Sequence, residues 1–170
     1  LGLSGFGASA HIVLKLVLRR FPGVKVFVFS RSPAERSFAK ELGAAWAGDF
    51  GEKPPQLLDA IIDTTPAWKP VLSSLECLEP GGRLVINAIR KETSDRSLMA
   101  DIDYARHLWM EKEIKSVANI AKNDIPEFLD MAAEIGLRPE IQTYPLEGAN
   151  TALLELKQRK IRGAKVLKAT

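Results

Sequence analysis

The sequence predicts an α/β protein in which a doubly wound parallel sheet lies between two helical layers, a three-layer α/β/α arrangement. Three observations support this prediction. Helix and strand signals alternate from the first residue to about Gly136. The strand candidates are short runs of apolar and β-branched residues, as expected for a sheet buried on both faces. The segments that connect them are too long for hairpins, which favours parallel pairing.

The composition is ordinary for a globular protein and excludes several functions. Of 170 residues, 46% are hydrophobic and 26% are charged, and the net charge is only +3. Because basic and acidic side chains are nearly equal in number, the net charge gives no reason to expect a nucleic-acid partner. No apolar run approaches the ~20 residues of a membrane span and no signal peptide is recognisable, so we expect no membrane partner and a cytoplasmic location. One cysteine and two histidines cannot form an internal disulfide or a cysteine-rich zinc site.

The first elements follow a glycine-rich run. Ala8–Arg20 has apolar residues at helical spacing and ends in two arginines, which favour a helix C-terminus. Val24–Ser30 is rich in β-branched and aromatic residues and predicts a strand. Ser32–Glu35 is a capping box with proline at the first helical position, so a second helix is expected to run from it to Gly43.

The alternation continues through the middle of the chain. "AAWA" is a candidate short strand, and "LLDAIIDTT" predicts a buried parallel strand. A helix is expected over Trp68–Leu78 and a turn at Gly81–Gly82. Arg83–Asn87 then predicts the next buried strand.

The last third of the chain is less regular. We expect a helix over Asp101–Lys112, a strand at "IKSVAN" and a helix over Asn123–Ile135. From Pro139 the pattern changes to a short strand, "EIQTY", a helix near Asn150–Lys157 and a strand at "AKVLK". We therefore place a module boundary between residues 138 and 139, so that residues 1–138 form one domain and 139–170 a separate C-terminal segment.

The glycine-rich run at the start predicts a dinucleotide-binding site. It reads Gly2-Leu3-Ser4-Gly5-Phe6-Gly7, which matches G-x-G-x-x-G except for serine at the middle glycine and an extra glycine after it. Such a loop lets backbone N–H groups approach a pyrophosphate, and the following helix offers its free N–H donors. A helix, a strand and a second helix follow at the distances of a Rossmann-like fold. The candidate cofactor-binding residues here are Gly2, Ser4, Gly5, Phe6, Gly7 and Ala8.

The choice of dinucleotide is expected to lie at the end of the second strand, ~20 residues beyond the glycines. NAD sites usually place an acidic residue there, whereas this sequence has Ser30 and Arg31 and no carboxylate. Serine and arginine can bind a 2′-phosphate, and Arg36 lies one helical turn further on. The sequence therefore predicts NADP. The alternative is NAD, with Arg31 merely exposed to solvent.

The nicotinamide half of the cofactor is expected at the carboxyl ends of the later strands. Thr64 and Thr65 follow the fourth strand, and Asn87, Ala88 and Ile89 follow the fifth. These small groups are candidates to line the site. The alternative is that residues 63–66 only cap the next helix.

Four blocks of the chain carry a family resemblance: "GLSGFGASAH", "SRSPAERSFAKELGAAWAG", "DAIIDTTPAWKPVLSSLECLEPGGRLVINAIR" and "ALLELKQRKIRGAKVLK". In these blocks the chain resembles the cofactor-binding half of zinc-type, medium-chain alcohol dehydrogenases. The resemblance implies a Rossmann fold, a nicotinamide cofactor and hydride transfer between alcohols and aldehydes or ketones. It also implies that the segment 139–170 returns to a catalytic domain, that Lys165 lies beside the cofactor, and that the protein is a homodimer.

The chain also departs from that family. The catalytic zinc, its ligands and the proton relay would come from an N-terminal GroES-like domain that these residues do not include, so we expect no catalytic residue and no metal site in this chain and an inactive isolated domain. The first strand is expected to be missing except for Leu1. Because this strand is central in the order 3-2-1-4-5-6, we expect residues upstream of Leu1 to belong to the protein.

Two other functions are compatible with the sequence. "LEPGGRLVI" is similar to a segment of S-adenosylmethionine-dependent methyltransferases, although the acidic ribose ligand typical of those enzymes is absent after the second strand. A non-catalytic module that only binds a dinucleotide is the second alternative.

Overall fold

The computed structural model describes residues 1–158 and 160–169 and contains a six-stranded, entirely parallel sheet. Its strands are β1 (Gly2–Ser4), β2 (Phe27–Phe29), β3 (Trp46–Gly48), β4 (Leu58–Asp63), β5 (Leu78–Ile86) and β6 (Glu113–Ser116). Their order is β3-β2-β1-β4-β5-β6. The predicted Rossmann-like fold is confirmed.

Helices cover both faces of this sheet, as predicted. They are α1 (Ala8–Arg20) and α2 (Pro33–Glu41) on one face and α3 (Lys69–Glu76) on the other. A further helix, α4 (Asp124–Glu134), contains no buried residue. Alternate side chains of β2 point to opposite faces. Val28 packs in one buried cluster with Leu14 of α1 and Phe38 of α2, whereas Phe27 packs in a second cluster with Leu75 of α3. The core is therefore divided into two layers by the sheet.

The central strand is present, which corrects the expectation that it was missing. β1 pairs with β2 on one side and with β4 on the other, so the middle of the sheet is closed. Gly2 and Ser4, assigned from the sequence to the loop, lie in this strand. A Cβ on Gly2 would lie 2.9 Å from side-chain carbons of Ile61 and Leu58. The first glycine of the motif thus permits close packing inside the sheet and lies before the loop.

Two other predicted elements differ. The turn expected at Gly81–Gly82 lies within β5, where Gly81 adopts φ +72° and the register with β4 shifts between Leu58 and Ala60. The helix expected over residues 101–112 is replaced by a 3-10 helix at Arg96–Asp101 and a π-helical turn at Tyr104–Leu108. Met110 and Glu111 then adopt positive φ, a conformation that no regular helix can contain.

The C-terminal segment forms its own small sheet. β7 (Ile141–Pro145) and β8 (Ala164–Lys168) pair in parallel, connected through α5 (Ala149–Lys157). The Nζ atom of Lys15 on α1 donates to the backbone oxygen of Arg138 at 2.7 Å and to Glu140 at 2.9 Å, next to the predicted module boundary. In the described part of the chain, no helix is both long enough and apolar enough to cross a bilayer.

Candidate functional site

A cavity of about 540 Å³ lies at the carboxyl ends of β1, β2 and β4. This is the edge at which open parallel sheets bind their ligands, and its volume is within the range of small-molecule sites. Eight of the fifteen predicted cofactor residues line it: Gly5, Phe6, Gly7, Ala8, Ser30, Arg31, Thr64 and Thr65. The sequence therefore located the cavity correctly, although binding by these residues stays a prediction.

The glycine loop shapes the floor of the cavity. Gly5 adopts φ +87°, and a Cβ there would lie 2.9 Å from Oγ1 of Thr64, so this turn requires glycine. Gly7 is the N-cap of α1, no side chain caps the helix there, and a Cβ on Gly7 would meet nothing within 4 Å. The first turn of α1 consequently presents uncapped N–H groups beside open space. This arrangement is suited to a diphosphate.

A carboxylate stands at the end of β2, and this corrects the sequence analysis, which found none. Ser30 Oγ donates a hydrogen bond to Oε2 of Glu35, and Glu35 also lines the cavity. The Ser32 side chain caps α2 by accepting from the Glu35 N–H at 3.3 Å, as the capping box predicts. The Glu35 side chain, however, is directed to Ser30. The prediction of NADP depended on the lack of a carboxylate at this position, and the Glu35 carboxylate therefore weakens it.

The two arginines at this position have different roles. Arg31 is exposed and lines the cavity, as predicted. Arg36 does not line it. Its Nη1 donates to the backbone oxygen of Ser30 at 2.7 Å and to that of Arg31 at 3.1 Å, and lies 3.8 Å from the Asp49 carboxylate. Arg36 therefore supports the turn between β2 and α2.

A buried ion pair connects the ends of the central strands. Asp63 is 0% exposed and accepts from Ser4 Oγ at 2.7 Å and from Thr65 Oγ1 at 2.8 Å. Lys91 Nζ forms an ion pair with the same carboxylate and also donates to the backbone oxygens of Thr65 and Ala67, each at 2.9 Å. The hydroxyl of Ser4, which was predicted to contact the cofactor, thus donates its proton to Asp63 instead.

The alternative role considered for residues 63–66, capping the next helix, is wrong. Helix α3 is capped from another segment, because Asp95 Oδ2 accepts from the N–H groups of Trp68 and Lys69 at 2.8 and 2.9 Å. Asp95 itself lines the cavity, and its Oδ1 is buried with no hydrogen-bond partner among the residues described. The sequence analysis missed Asp95 because nothing local connects it to a helix that begins 26 residues earlier.

The remaining predicted residues do not line this cavity. Asn87 donates its N–H to the backbone oxygen of Asp63 at 2.8 Å, Ala88 follows it, and the Ile89 side chain is fully exposed. The Lys165 side chain is 5% exposed and donates to Tyr144 Oη at 2.6 Å and to the Glu155 carboxylate. The hydrogen bond with Glu155 raises the pKa of Lys165 above its usual range. Lys165 thus stabilises the C-terminal segment away from the cavity.

Phe50 is a lining residue that the sequence analysis missed. It lies two residues after the end of β3. It lines the cavity together with Pro66, Ala67 and Pro70, which follow β4 on the opposite side of the central strand β1. Its position could have been predicted from the rule that carboxyl ends of parallel strands share one edge. The glycines and prolines around it, however, are typical of an ordinary loop.

The described residues do not form a metal site. No group of three or more histidine, cysteine, aspartate or glutamate side chains among residues 1–158 and 160–169 could hold a metal ion. Cys77 is buried, and burial raises the pKa of its thiol, which disfavours the thiolate that binds metals. The described residues therefore do not fit a zinc ion.

The strand order, the glycine loop and the cavity at the switch point are those of a Rossmann-like fold. The family model described as zinc-binding dehydrogenase matches residues 17–134. The chain belongs to the zinc-binding dehydrogenase family.

Individual relatives agree with this assignment. The chain is 38% identical over 167 residues to a "Probable alcohol dehydrogenase AdhA" of Mycobacterium tuberculosis. The aligned region covers 98% of this chain and 46% of that protein. The chain thus spans about half the length of this relative.

Solved structures share the fold. An alcohol dehydrogenase from the archaeon Aeropyrum pernix superposes with a TM-score of 0.80 at 18% identity, over 99% of this chain and 50% of that one. A CAD from Helicobacter pylori complexed with NADP(H) gives a TM-score of 0.76 at 21% identity, over 98% of this chain and 46% of that one.

Proposed function

We propose that this chain is the cofactor-binding domain of a zinc-type alcohol dehydrogenase and that its cavity holds a nicotinamide dinucleotide. The observation that carries this proposal is the uncapped N-terminus of α1, where Gly7 leaves open space beside free N–H groups. The family match and the alcohol dehydrogenase named among the relatives support it.

The reaction proposed for the whole protein is hydride transfer between an alcohol and the corresponding aldehyde or ketone. The contribution of this chain is to fix the dinucleotide: the first turn of α1 binds the diphosphate, and the Thr64–Ala67 loop, held by Lys91, borders the cavity. The bound dinucleotide supplies the hydride acceptor or donor. We assign no catalytic residue to this chain and propose that it is inactive alone, with residues 139–170 packing on a second domain.

We also propose an oligomeric state, a location and a cofactor preference for the whole protein. A homodimer is supported by β6, which is one of the two edge strands of the six-stranded sheet and exposes Ile114. A cytoplasmic location is consistent with the dehydrogenases that the chain resembles. The preference for NADP is supported by Arg31 and opposed by the Glu35 carboxylate, and both residues line the cavity.

The experiment is a titration of the 170-residue chain with NADH and NADPH, followed by nucleotide fluorescence. We expect saturable binding of at least one of them, and no thermal stabilisation by S-adenosylmethionine. Stabilisation by S-adenosylmethionine alone would favour the methyltransferase alternative, for which the family match gives no support. A folded chain that binds neither dinucleotide would overturn the proposal.

A further inference from the structure

Lys91 holds a loop that borders the cavity, although Lys91 itself does not line it. Its ammonium group donates to the backbone oxygens of Thr65 and Ala67, each at 2.9 Å, and forms an ion pair with the Asp63 carboxylate. An ammonium group has three protons to donate. All three are therefore taken by one short segment, residues 63–67, and the side chain is only 10% exposed. Lys91 can act on a ligand in the cavity only through this segment.

The segment that Lys91 holds packs directly against the glycine loop. Thr64 Oγ1 donates to the backbone oxygen of Ser4 at 3.1 Å. A Cβ on Gly5 would lie 2.9 Å from Oγ1 of Thr64 and 3.0 Å from Cγ2 of Thr65, so no free space separates the two loops. Because such close-packed groups cannot move independently, the position of the two threonines limits the position of the turn that leads into α1.

Asp63 places a negative charge next to the proposed diphosphate site. Its carboxylate is fully buried and accepts from the hydroxyl of Ser4, the residue before Gly5. A buried charge is poorly screened by water and salt, so its field acts strongly on nearby groups. Without a partner, this carboxylate would repel an anion at the first turn of α1. Lys91, in direct contact with it, supplies the opposite charge.

Lys91 also binds the backbone oxygens of two residues that line the cavity, Thr65 and Ala67. A carbonyl oxygen can only accept hydrogen bonds, and its partial negative charge repels a phosphate. Both oxygens are satisfied here by an ammonium group that lies outside the cavity lining. A phosphate is attracted by the N–H groups at the start of a helix. The three contacts of Lys91 therefore all favour the binding of an anion beside this loop.

These contacts suggest a role for Lys91 in binding as well as in stability. We propose, on the basis of the proposed function, that Lys91 is a positioning residue for the dinucleotide. It neutralises Asp63 and holds residues 64–67 so that the first turn of α1 accepts the diphosphate. Lys91 does not touch the ligand. Because its effect acts on the charge of the diphosphate, an uncharged nucleoside should be nearly insensitive to its loss.

The test compares ADP-ribose, which contains the diphosphate, with adenosine, which does not. Dissociation constants are measured by NMR titration at a temperature at which every variant is folded. In Lys91→Met we expect the affinity for ADP-ribose to fall at least roughly tenfold and that for adenosine to fall by less than about threefold. Adding Asp63→Asn to this variant removes the unpaired charge and should recover most of the lost affinity for ADP-ribose.

Lys112→Met is the matched control. Lys112 Nζ also donates to two backbone oxygens, those of Leu75 and Arg106, at 2.8 and 3.2 Å. None of these three residues lines the cavity. The variant thus loses comparable hydrogen bonds, so it should be less stable than the wild type, but the ratio of the ADP-ribose and adenosine affinities should not change.

The other outcomes distinguish the two proposals. An unchanged affinity for ADP-ribose in Lys91→Met, or an equal loss for both ligands, would overturn the role of Lys91 and leave the dinucleotide site standing. A folded wild-type chain that binds neither ADP-ribose nor a dinucleotide would overturn the proposed function itself.

A second variant decides the question if Lys91→Met does not fold. Asp63→Asn alone leaves the Lys91 cation without its partner and keeps an oxygen that can accept from Ser4. The affinity ratio must then shift at least roughly threefold toward ADP-ribose, because an uncompensated cation attracts the diphosphate. No shift, or a shift toward adenosine, would overturn the proposal.

Discussion

The hydroxyl of Ser4 donates a 2.7 Å hydrogen bond to the carboxylate of Asp63, across 59 residues of sequence. Ser4 ends the central strand and Asp63 ends its neighbour, so the bond fixes the point where the glycine loop leaves the sheet. Lys91 neutralises the same buried carboxylate from a third segment. The loop that is proposed to bind the cofactor is thus held at its base by a charged network.

This network predicts the effect of Lys91→Met. The Lys91 side chain is 10% exposed and Asp63 is 0% exposed, so removing the cation leaves a buried charge uncompensated. We expect a loss of about 3–5 kcal/mol in the free energy of unfolding, measured by urea denaturation. The double variant Lys91→Met, Asp63→Asn should recover part of it. A single variant as stable as the wild type would show that the pair contributes nothing.

Gly7→Ala should separate binding from folding. A Cβ on Gly7 meets no protein atom within 4 Å, so the free energy of unfolding should change by less than about 1 kcal/mol. The added methyl group would occupy space proposed for the diphosphate, and dinucleotide affinity should fall at least roughly tenfold, or about 1.4 kcal/mol. Gly51→Ala, equally unobstructed and outside the cavity, is the control for titration. If Gly7→Ala and Gly51→Ala bind the dinucleotide with equal affinity, the diphosphate does not bind at the first turn of α1.

Arg36→Met tests the assignment of Arg36 to the turn. Its loss removes two charged hydrogen bonds to backbone oxygens, so we expect a destabilisation of about 1–3 kcal/mol. The ratio of NADH to NADPH affinity should remain near that of the wild type. A selective loss of NADPH binding in Arg36→Met would instead show that Arg36 binds the 2′-phosphate, as predicted from the sequence.

Buried His11 predicts a pH dependence of stability. Burial lowers the pKa of His11 below its ordinary 6.5, and its Nε2 accepts the Glu140 N–H at 3.1 Å. Below pH 6.5 the unfolded chain therefore binds more protons than the folded chain, and the free energy of unfolding should fall as pH is lowered from 7 toward 5. Urea midpoints across this range should fall less steeply for His11→Gln. Parallel slopes for both proteins would exclude His11 as the cause.

Local signals were sufficient for much of the fold. Helix α1 has the predicted bounds, Ala8–Arg20, because its periodicity, glycines and terminal arginines are all contained in its own sequence. β1 was missed because three residues are too few to produce a strand pattern. In addition, Gly2 is as compatible with a loop as with a strand. The start of β5 was missed because Gly81–Gly82 has the composition of a turn but lies in an irregular part of the strand.

The site was harder to predict where it depends on contacts between distant residues. Lys91 and Asp63 are 28 positions apart, and neither has a motif that indicates the other. Glu35 was recognised as part of a capping box, but the direction of its side chain toward Ser30 depends on how α2 is placed against the end of β2. Side-chain position therefore changed the interpretation of a motif that had been identified correctly.

The most direct test of the dinucleotide site is a crystal structure of the chain grown with a saturating concentration of NAD. We expect the diphosphate at the first turn of α1, within hydrogen-bond distance of backbone N–H groups of residues 6–8. A dinucleotide bound at any other surface, or a folded chain whose cavity stays free of NAD and of NADP alike at saturation, would contradict it.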